Sequence, residues 1–403
     1  MLSSPLRLDL YIDCSDSSPV RELLDIWPPF PIQVTSFHLG DNIIAALEHR
    51  DRISKICLSL RSLRYEKLAA VIQEPLPALT SLELAWEVGP GDESMPALPA
   101  TFLGGSAPRL ESLTLKGVPF PTLPQLLLSC NDLSELTLHD ISYLGYISPE
   151  AMVTGLSALT KLTCLYIGFG AAFLPDQIIQ HPPLLTRTTA VLPTLKEFLF
   201  EGFSEYLEDL LAQIDLPQLE VISVMFLRQH VSDIRQVISH SRTIGSFNRA
   251  RILFDHFSVV IQLHQPDGTD PIKFVELGIQ EDEAWPAWQV SSITQIGTQL
   301  SYLLSSITEL DIHSDPDCEV LMDNTEWLEL FHLFSAVQTL RLSGDIQSHV
   351  ISSLQELTGE SIAEALPKLL NLYFRKGSRS EFVQHPIGLF FAPSDHPVTP
   401  RSA

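Results

Sequence analysis

The sequence predicts an α/β solenoid, with a curved parallel sheet on its concave side and helices on its convex side, and three observations lead there. The stretch 102–140, FLGGSAPRLESLTLKGVPFPTLPQLLLSCNDLSELTLHD, states one pattern twice: Leu110, Leu113, Leu115, then Leu133, Leu136, Leu138. Each copy has the form L-x-x-L-x-L, a short strand with its leucines on one face, followed by a return segment of roughly twenty residues. A strand with one return cannot cover its own apolar face, so such units are stable only when copies stack and share a core. The pattern is that of a leucine-rich-repeat solenoid.

In chain order, strands are expected at 7–12, 34–39, 53–58, 79–84, 110–115, 133–138, 162–167, 195–200, 219–224, 307–312, 337–342 and 369–374. Most steps are about 19 to 33 residues, near the period of the leucine-rich class but stretched in places, so the stack is irregular. Between strands, apolar residues recur at helical spacing behind start signals: Asp41 before IIAALEH, Ser148 before PEAMVTGL and Ser204 before EYLEDLLAQI. Pro149 suits a first helical position, where its missing N–H would have been unpaired anyway. Arg21 to Ile26 reads as a short helix within the repeats. Alternation of strand and helix makes the strands parallel. The familiar repeat places Asn three residues after the last Leu; here Val118, Ile141 and Phe203 stand there, so the turns must satisfy their backbone by other means.

The gap from Val224 to Ile307 breaks the rhythm. Phe257 to Leu263 and Ile272 to Ile279 are β-rich runs around HQPDGTDP, whose Asp267-Gly268 predicts a hairpin turn, and Ala250 to Phe254 reads as one more repeat strand. A helix over 288–304 then returns to the stack. The expected organisation is one irregular solenoid over 1–375, modified at about 245–305 by an antiparallel hairpin around 255–280, and a loose tail over 376–403 that lays Leu389, Phe390 and Phe391 on the last unit.

Composition narrows the function. Of 403 residues, 45% are hydrophobic and 18% charged, which gives ample core material. With 49 acidic against 25 basic residues the chain repels nucleic-acid phosphates and anionic membranes, so neither is an expected partner, and a basic partner surface, or none in particular, fits better. The cysteines Cys14, Cys57, Cys130, Cys164 and Cys318 are odd in number and scattered, which suits a reducing compartment. Asp9 and Asp13 interrupt the N-terminal apolar run, and no later segment is apolar over the eighteen or more residues of a membrane span, so the cytoplasm or nucleus is expected.

The runs AALEHRDRI, FLGGSAPRL, GYISPEAMVTGLSALTKL, HPPLLTRT and FSEYLEDLLAQIDLPQL carry a specific resemblance that covers nearly the whole chain. They are similar to the basidiomycete (mushroom-type fungal) F-box proteins with leucine-rich repeats. In that family an N-terminal F-box docks on the Skp1 adaptor of a cullin ubiquitin ligase, and the repeats are taken to select the substrate. The resemblance thus implies a non-catalytic protein-binding module, linked to Skp1 only if an F-box lies outside this chain. The F-box itself is expected to be absent, because nothing in the first fifty residues resembles its Leu-Pro-x-Glu-hydrophobic opening. A truncated chain, and a free-standing scaffold or decoy with no ligase link, both stay open.

No constellation calls for catalysis, a metal or a cofactor. Asp315, Asp317, Glu319, Asp323 and Glu326 fall at calcium-loop positions, but Val320 stands where the sharp turn calls for Gly and Pro316 stiffens the second position. The run reads as an acidic loop ending in a helix N-cap around Asp323 to Thr325. GFGAAF lacks the third glycine of a dinucleotide fingerprint, and GGSAP is not a nucleophile elbow. The thirteen His form no HExxH, and QEDEAW reads as a solvated loop with Trp285 and Trp288 packed on the stack.

The remaining candidate is the concave face. Residues flanking the inner leucines alternate outward, which predicts a row of Glu83, Thr114, Thr137, Tyr166, Leu199, Ser223, Asp311, Arg341 and Tyr373, with Glu135, His139, Glu197 and Glu201 beside it. Aromatic anchors with steering charges are the materials of a protein-binding surface.

Overall fold

The computed structural model describes residues 9–14, 20–26, 28–36, 41–60, 72–86, 96–170, 189–227, 247–265, 274–281, 286–315, 324–344, 346–347, 350–351, 365–375 and 382–385. The chain forms two compact units, Met1–Val221 with Ser239–Thr243, and Ile222–Ile238 with Ile244–Ala403.

The first unit contains β1 (Leu10–Asp13), β2 (Ile32–Ser36), β3 (Ile53–Leu60), β4 (Ser81–Trp86), β5 (Ser112–Lys116), β6 (Glu135–Ile141), β7 (Cys164–Phe169) and β9 (Glu197–Gly202), hydrogen-bonded in that order. A short parallel bridge joins β8 (Ala190–Val191) to β10 (Ile214–Asp215) in the returns. Every neighbouring pair along the sheet is parallel. Register keeps the apolar ladder in line: Ile56, Leu82, Leu113, Leu136, Leu165 and Phe198 are successive partners, each at most 1% exposed. With roughly 2 kcal/mol from each buried leucine, this ladder and its neighbour Leu58, Leu84, Leu115, Leu138, Ile167 and Phe200 are what hold the stack.

The strands start about two residues later than the L-x-x-L-x-L reading places them, because its first leucine belongs to a turn. The amides of Leu79, Leu110, Leu133 and Leu162 each donate to the carbonyl three residues back, and all four side chains are buried. The next two amides then share one carbonyl of the preceding repeat. Thr80 accepts from Glu111 (2.7 Å) and Ser112 (3.1 Å), Glu111 from Ser134 and Glu135, Ser134 from Thr163 and Cys164, and Thr163 from Lys196 and Glu197. Hydroxyls reinforce the ladder where the turn leucine is followed by Ser or Thr. Ser134 Oγ donates to the Glu111 carbonyl (2.9 Å) and Thr163 Oγ1 to that of Ser134 (3.0 Å). Satisfaction of the backbone therefore sits at the strand entrances, on main-chain groups, where no asparagine is needed.

The described returns carry short helices. Ser148 caps Pro149–Leu156 by accepting from the Ala151 N–H at 3.3 Å, as the sequence predicts. Ser204 does not cap its helix: Ser204–Leu211 includes it, Phe203 holds the N-cap position, and Ser204 Oγ turns to Glu205 Oε2 instead. Leu123–Leu127, Pro149–Leu156 and Ser204–Leu211 pack successively side by side. Gly155 permits the first of these contacts, since a Cβ there would lie 2.9 Å from the Pro124 Cα. The short helix expected at 21–26 is Val20–Ile26.

The second unit begins one residue into β11 (Val221–Leu227) and continues with β12 (Arg249–Phe254), β13 (Ser258–His264), β14 (Phe274–Gln280), β15 (Glu309–Ser314), β16 (Thr339–Ser343), β17 (Asn371–Arg375) and β18 (Phe382–His385). The antiparallel hairpin predicted in the long gap is β13 with β14, and β12 is the extra repeat strand, antiparallel to β13 and parallel to β15. The turn at Asp267-Gly268 lies outside the described residues. Helix Pro286–Gln299, continued by Ser301–Leu304, matches the return predicted over 288–304 and packs on β13 and β14. Parallel pairing resumes through β15, β16 and β17, and the shared-carbonyl ladder with it: Asn248 accepts from Thr308 and Glu309, Thr308 from Gln338 and Thr339. β18 then pairs antiparallel with β17, a strand that repeat periodicity does not reveal; Leu389, Phe390 and Phe391 lie outside the described residues. Among the described residues no helix is long and apolar enough to cross a membrane.

Candidate functional site

Alternation along each strand sends one set of side chains to the leucine core and the other to the open side of the sheet, and register lines the second set into rows. In the first unit Glu83, Thr114, Thr137, Tyr166 and Leu199 are successive cross-strand partners. One step toward the strand entrances, Ser112, Glu135, Cys164 and Glu197 form a second row, in which Ser112 Oγ donates to Glu135 Oε2 (3.2 Å). Glu83, Glu135 and Glu197 are exposed, and none of Glu83, Glu135, Glu197 and Glu201 has a basic partner among the described residues.

The aromatic part of this face is built by a bulge. Leu138 pairs with Ile167 but Ile141 with Phe169, so β6 holds one residue more than β7, and Asp140 takes it up with φ +55°. Asp is among the few non-glycine residues that tolerate that region, and the added local twist re-aims its neighbour. His139 thereby stacks on Tyr166, with centroids 5.4 Å apart and planes at 13°. Its Nδ1 stands 2.9 Å from Asp140 Oδ2, within ion-pair range once the imidazole is protonated but without hydrogen-bond alignment. Tyr166 lies over Gly168, where a Cβ would come within 2.7 Å of the phenol oxygen, and donates from that oxygen to Glu201 Oε2 at 2.8 Å. Gly168 is the register partner of Glu201, so the missing side chain opens the path between them. Burial, the hydrogen bond to Glu201, and the charges of Glu201 and Asp140 push the Tyr166 phenol far above its ordinary range, so it remains a donor. The turn beyond His139 borders a small apolar pit lined by Leu115, Val118, Phe120 and Ile147.

In the second unit the corresponding row runs through Glu276, Gln262, Arg251, Asp311, Arg341 and Tyr373. Ser223 Oγ donates to Glu276 Oε1, and Gln262 Nε2 to Glu276 Oε2, both at 2.7 Å. Arg341 Nη1 donates to Glu309 Oε2 at 2.7 Å and to Asp311 Oδ1 at 3.1 Å, while its guanidinium carbon lies 5.7 Å from the Tyr373 ring centroid. Burial works against the Arg341 charge, but the bonds to Glu309 and Asp311 outweigh it and hold the guanidinium above its ordinary value. Arg249 adds ion pairs to Glu309 (3.3 Å) and Asp311 (3.6 Å). Periodicity finds Ser223, Asp311, Arg341 and Tyr373 but misses Arg249, Arg251, Gln262, Glu276 and Glu309, because the inserted hairpin and the neighbouring row cannot be registered from repeat spacing. Asp140 and Gly168 are missed for local reasons, although a tyrosine two residues before a glycine on one strand face is a legible sign of a ring lying over backbone.

Among the described residues no group of His, Cys, Asp and Glu is placed to hold a metal ion. The central part of the calcium-like run, 316–323, and the acidic loop 282–285 lie outside the described residues, as does the end of GFGAAF from residue 171. Burial raises the thiols of Cys57 and Cys130 to about 11, with Glu83 adding to the effect at Cys57, so both are protonated at neutral pH and poor nucleophiles.

No family model and no curated protein matches this chain. Among solved structures it is similar to the leucine-rich repeat-containing protein LegL7 from Legionella pneumophila, at 11% identity and a TM-score of 0.31 over 93% of this chain and 92% of that one.

Proposed function

We propose that this protein is a non-catalytic recognition module that binds a protein partner on the strand-side face of its first unit. The observation that carries the reading is an aligned face where His139, Tyr166 and Leu199 stand among Glu83, Glu135, Glu197 and Glu201, carboxylates with no basic partner among the described residues. Aromatic and aliphatic anchors give such a face its affinity, and unmatched charge selects and steers the partner. The resemblance to fungal F-box proteins supports a narrower form, the substrate-selecting repeats of a cullin ubiquitin ligase, with Skp1 reached through an F-box outside these residues; a free-standing scaffold is the alternative. Skp1 in stoichiometric amount in a purification of the tagged chain favours the first, and partners without Skp1 or cullin favour the second.

A photo-crosslinking amino acid placed at Thr114 or Leu199, with Glu150 on a return helix as control, tests the face itself. Distinct partner adducts from the two strand positions are expected. Adducts from Glu150 alone, or the same set from all three, would remove this face as the site.

A further inference from the structure

The second unit displays on its strand-side face the arrangement that the first unit leaves unfinished. Around Arg341, two carboxylates grip a guanidinium whose plane neighbours a tyrosine on the adjacent strand. Around Tyr166 the same materials recur without the cation: a tyrosine, a stacked histidine, Glu201 at the phenol oxygen and Asp140 beside the imidazole. Exposed Glu135 and Glu197 stand on the adjoining row, and Lys116 is the register partner of His139. We infer that this face of the first unit takes an arginine side chain of a protein segment, stacked on the His139–Tyr166 pair and paired with Glu201. This rests on the proposed function and names the chemistry of its partner.

Arginine is singled out over lysine by two properties. The guanidinium is planar, so it stacks on an aromatic ring while its N–H fork reaches a carboxylate at the ring edge, and it sheds water more readily than an ammonium. Lysine would meet the same negative potential but would gain less from the rings, because its compact ammonium is more strongly hydrated and cannot lie flat on them. Diffuse attraction to an acidic protein alone predicts no preference between the two.

The test uses the full chain with fluorescently labelled hexa-arginine and hexa-lysine peptides and reads binding by anisotropy. Wild type is expected to hold hexa-arginine at least about threefold tighter than hexa-lysine. Glu135→Lys with Glu197→Lys and Glu201→Lys is expected to weaken hexa-arginine by about tenfold or more. The charge-matched control, Glu150→Lys with Glu205→Lys and Asp209→Lys on the return helices, should weaken it less than about threefold. Tyr166→Leu should erase the arginine preference, and Tyr166→Phe, which keeps the ring, should retain it. Should the triple variant misfold, Glu135→Lys with Glu197→Lys alters only exposed side chains and is read the same way. Equal weakening by the two charge-matched sets, or equal binding of the two peptides by wild type, would overturn the inference. Strand-face crosslinks obtained alongside that result would leave the proposed function standing with a partner of other chemistry.

Discussion

On the first unit's strand-side face Glu83, Glu135, Glu197 and Glu201 have no basic partner among the described residues, whereas on the second unit's face Glu309 and Asp311 are gripped by Arg341 and Arg249. The second face includes an antiparallel hairpin that the first lacks, but Arg249, Glu309, Asp311 and Arg341 all lie on parallel-paired strands like those of the first unit, so the residues at the outward positions set the difference. A carboxylate row that is neutralised within the fold depends on its fixed partners, because removing one leaves a partly buried charge uncompensated. A row left without bases gains only neutral hydrogen bonds, such as those from Ser112 to Glu135 and from Tyr166 to Glu201, and carries like-charge repulsion, the expected trade where the surface is for binding.

The largest effect that would break this contrast is at Arg341. Arg341→Met leaves Asp311, only 17% exposed, with Arg249 as its remaining cation, and is expected to cost about 2 kcal/mol, between the value of an exposed pair and that of a buried one. A shift of the urea midpoint within error of wild type would show that the second face is not held by its ion pairs.

The next effect is a pH dependence. Burial, then the charges of Arg251 and Arg249, hold the His264 imidazole below its ordinary value of 6.5, against the pull of Asp311 and Glu276. The unfolded chain therefore takes up this proton at higher pH than the folded one, so stability falls as pH drops below about 6.5. His264→Gln should narrow the loss of Tm between pH 7.5 and pH 5.5, and an unchanged loss would assign it to other groups.

The smallest effect sharpens the comparison from the other side. Glu83→Gln and Glu197→Gln should each move stability by no more than about 0.5 kcal/mol, toward stabilisation, since they relieve repulsion and remove no ion pair. Clear destabilisation would mean that the open face serves the fold after all.

How much of this could be read from sequence depends on the range of the cause. The leucine ladder was legible because Leu82, Leu113, Leu136 and Leu165 repeat one local pattern, and parallel register follows from it. The row Glu83, Thr114, Thr137, Tyr166 and Leu199 followed by alternation alone. The entry turns were placed two residues off because a buried leucine reads the same in a turn as in a strand. The stack of His139 on Tyr166 depends on the extra residue at Asp140, and the grip on Arg341 on a partner from the neighbouring row, Glu309; neither is encoded in any one repeat.

The shared carbonyl at each strand entrance bears on how such a chain lengthens through evolution. Donors and acceptor at that joint are main-chain atoms, so a duplicated or deleted copy, cut between equivalent points such as Thr80 and Glu111, presents the same mating groups as the original. Apart from the buried turn leucine and the hydroxyls that reinforce the bond, side chains at the joint are then free to diverge, and the loop between joints is free to change in length. Growth by whole copies thus preserves the fold while the outward row is rewritten.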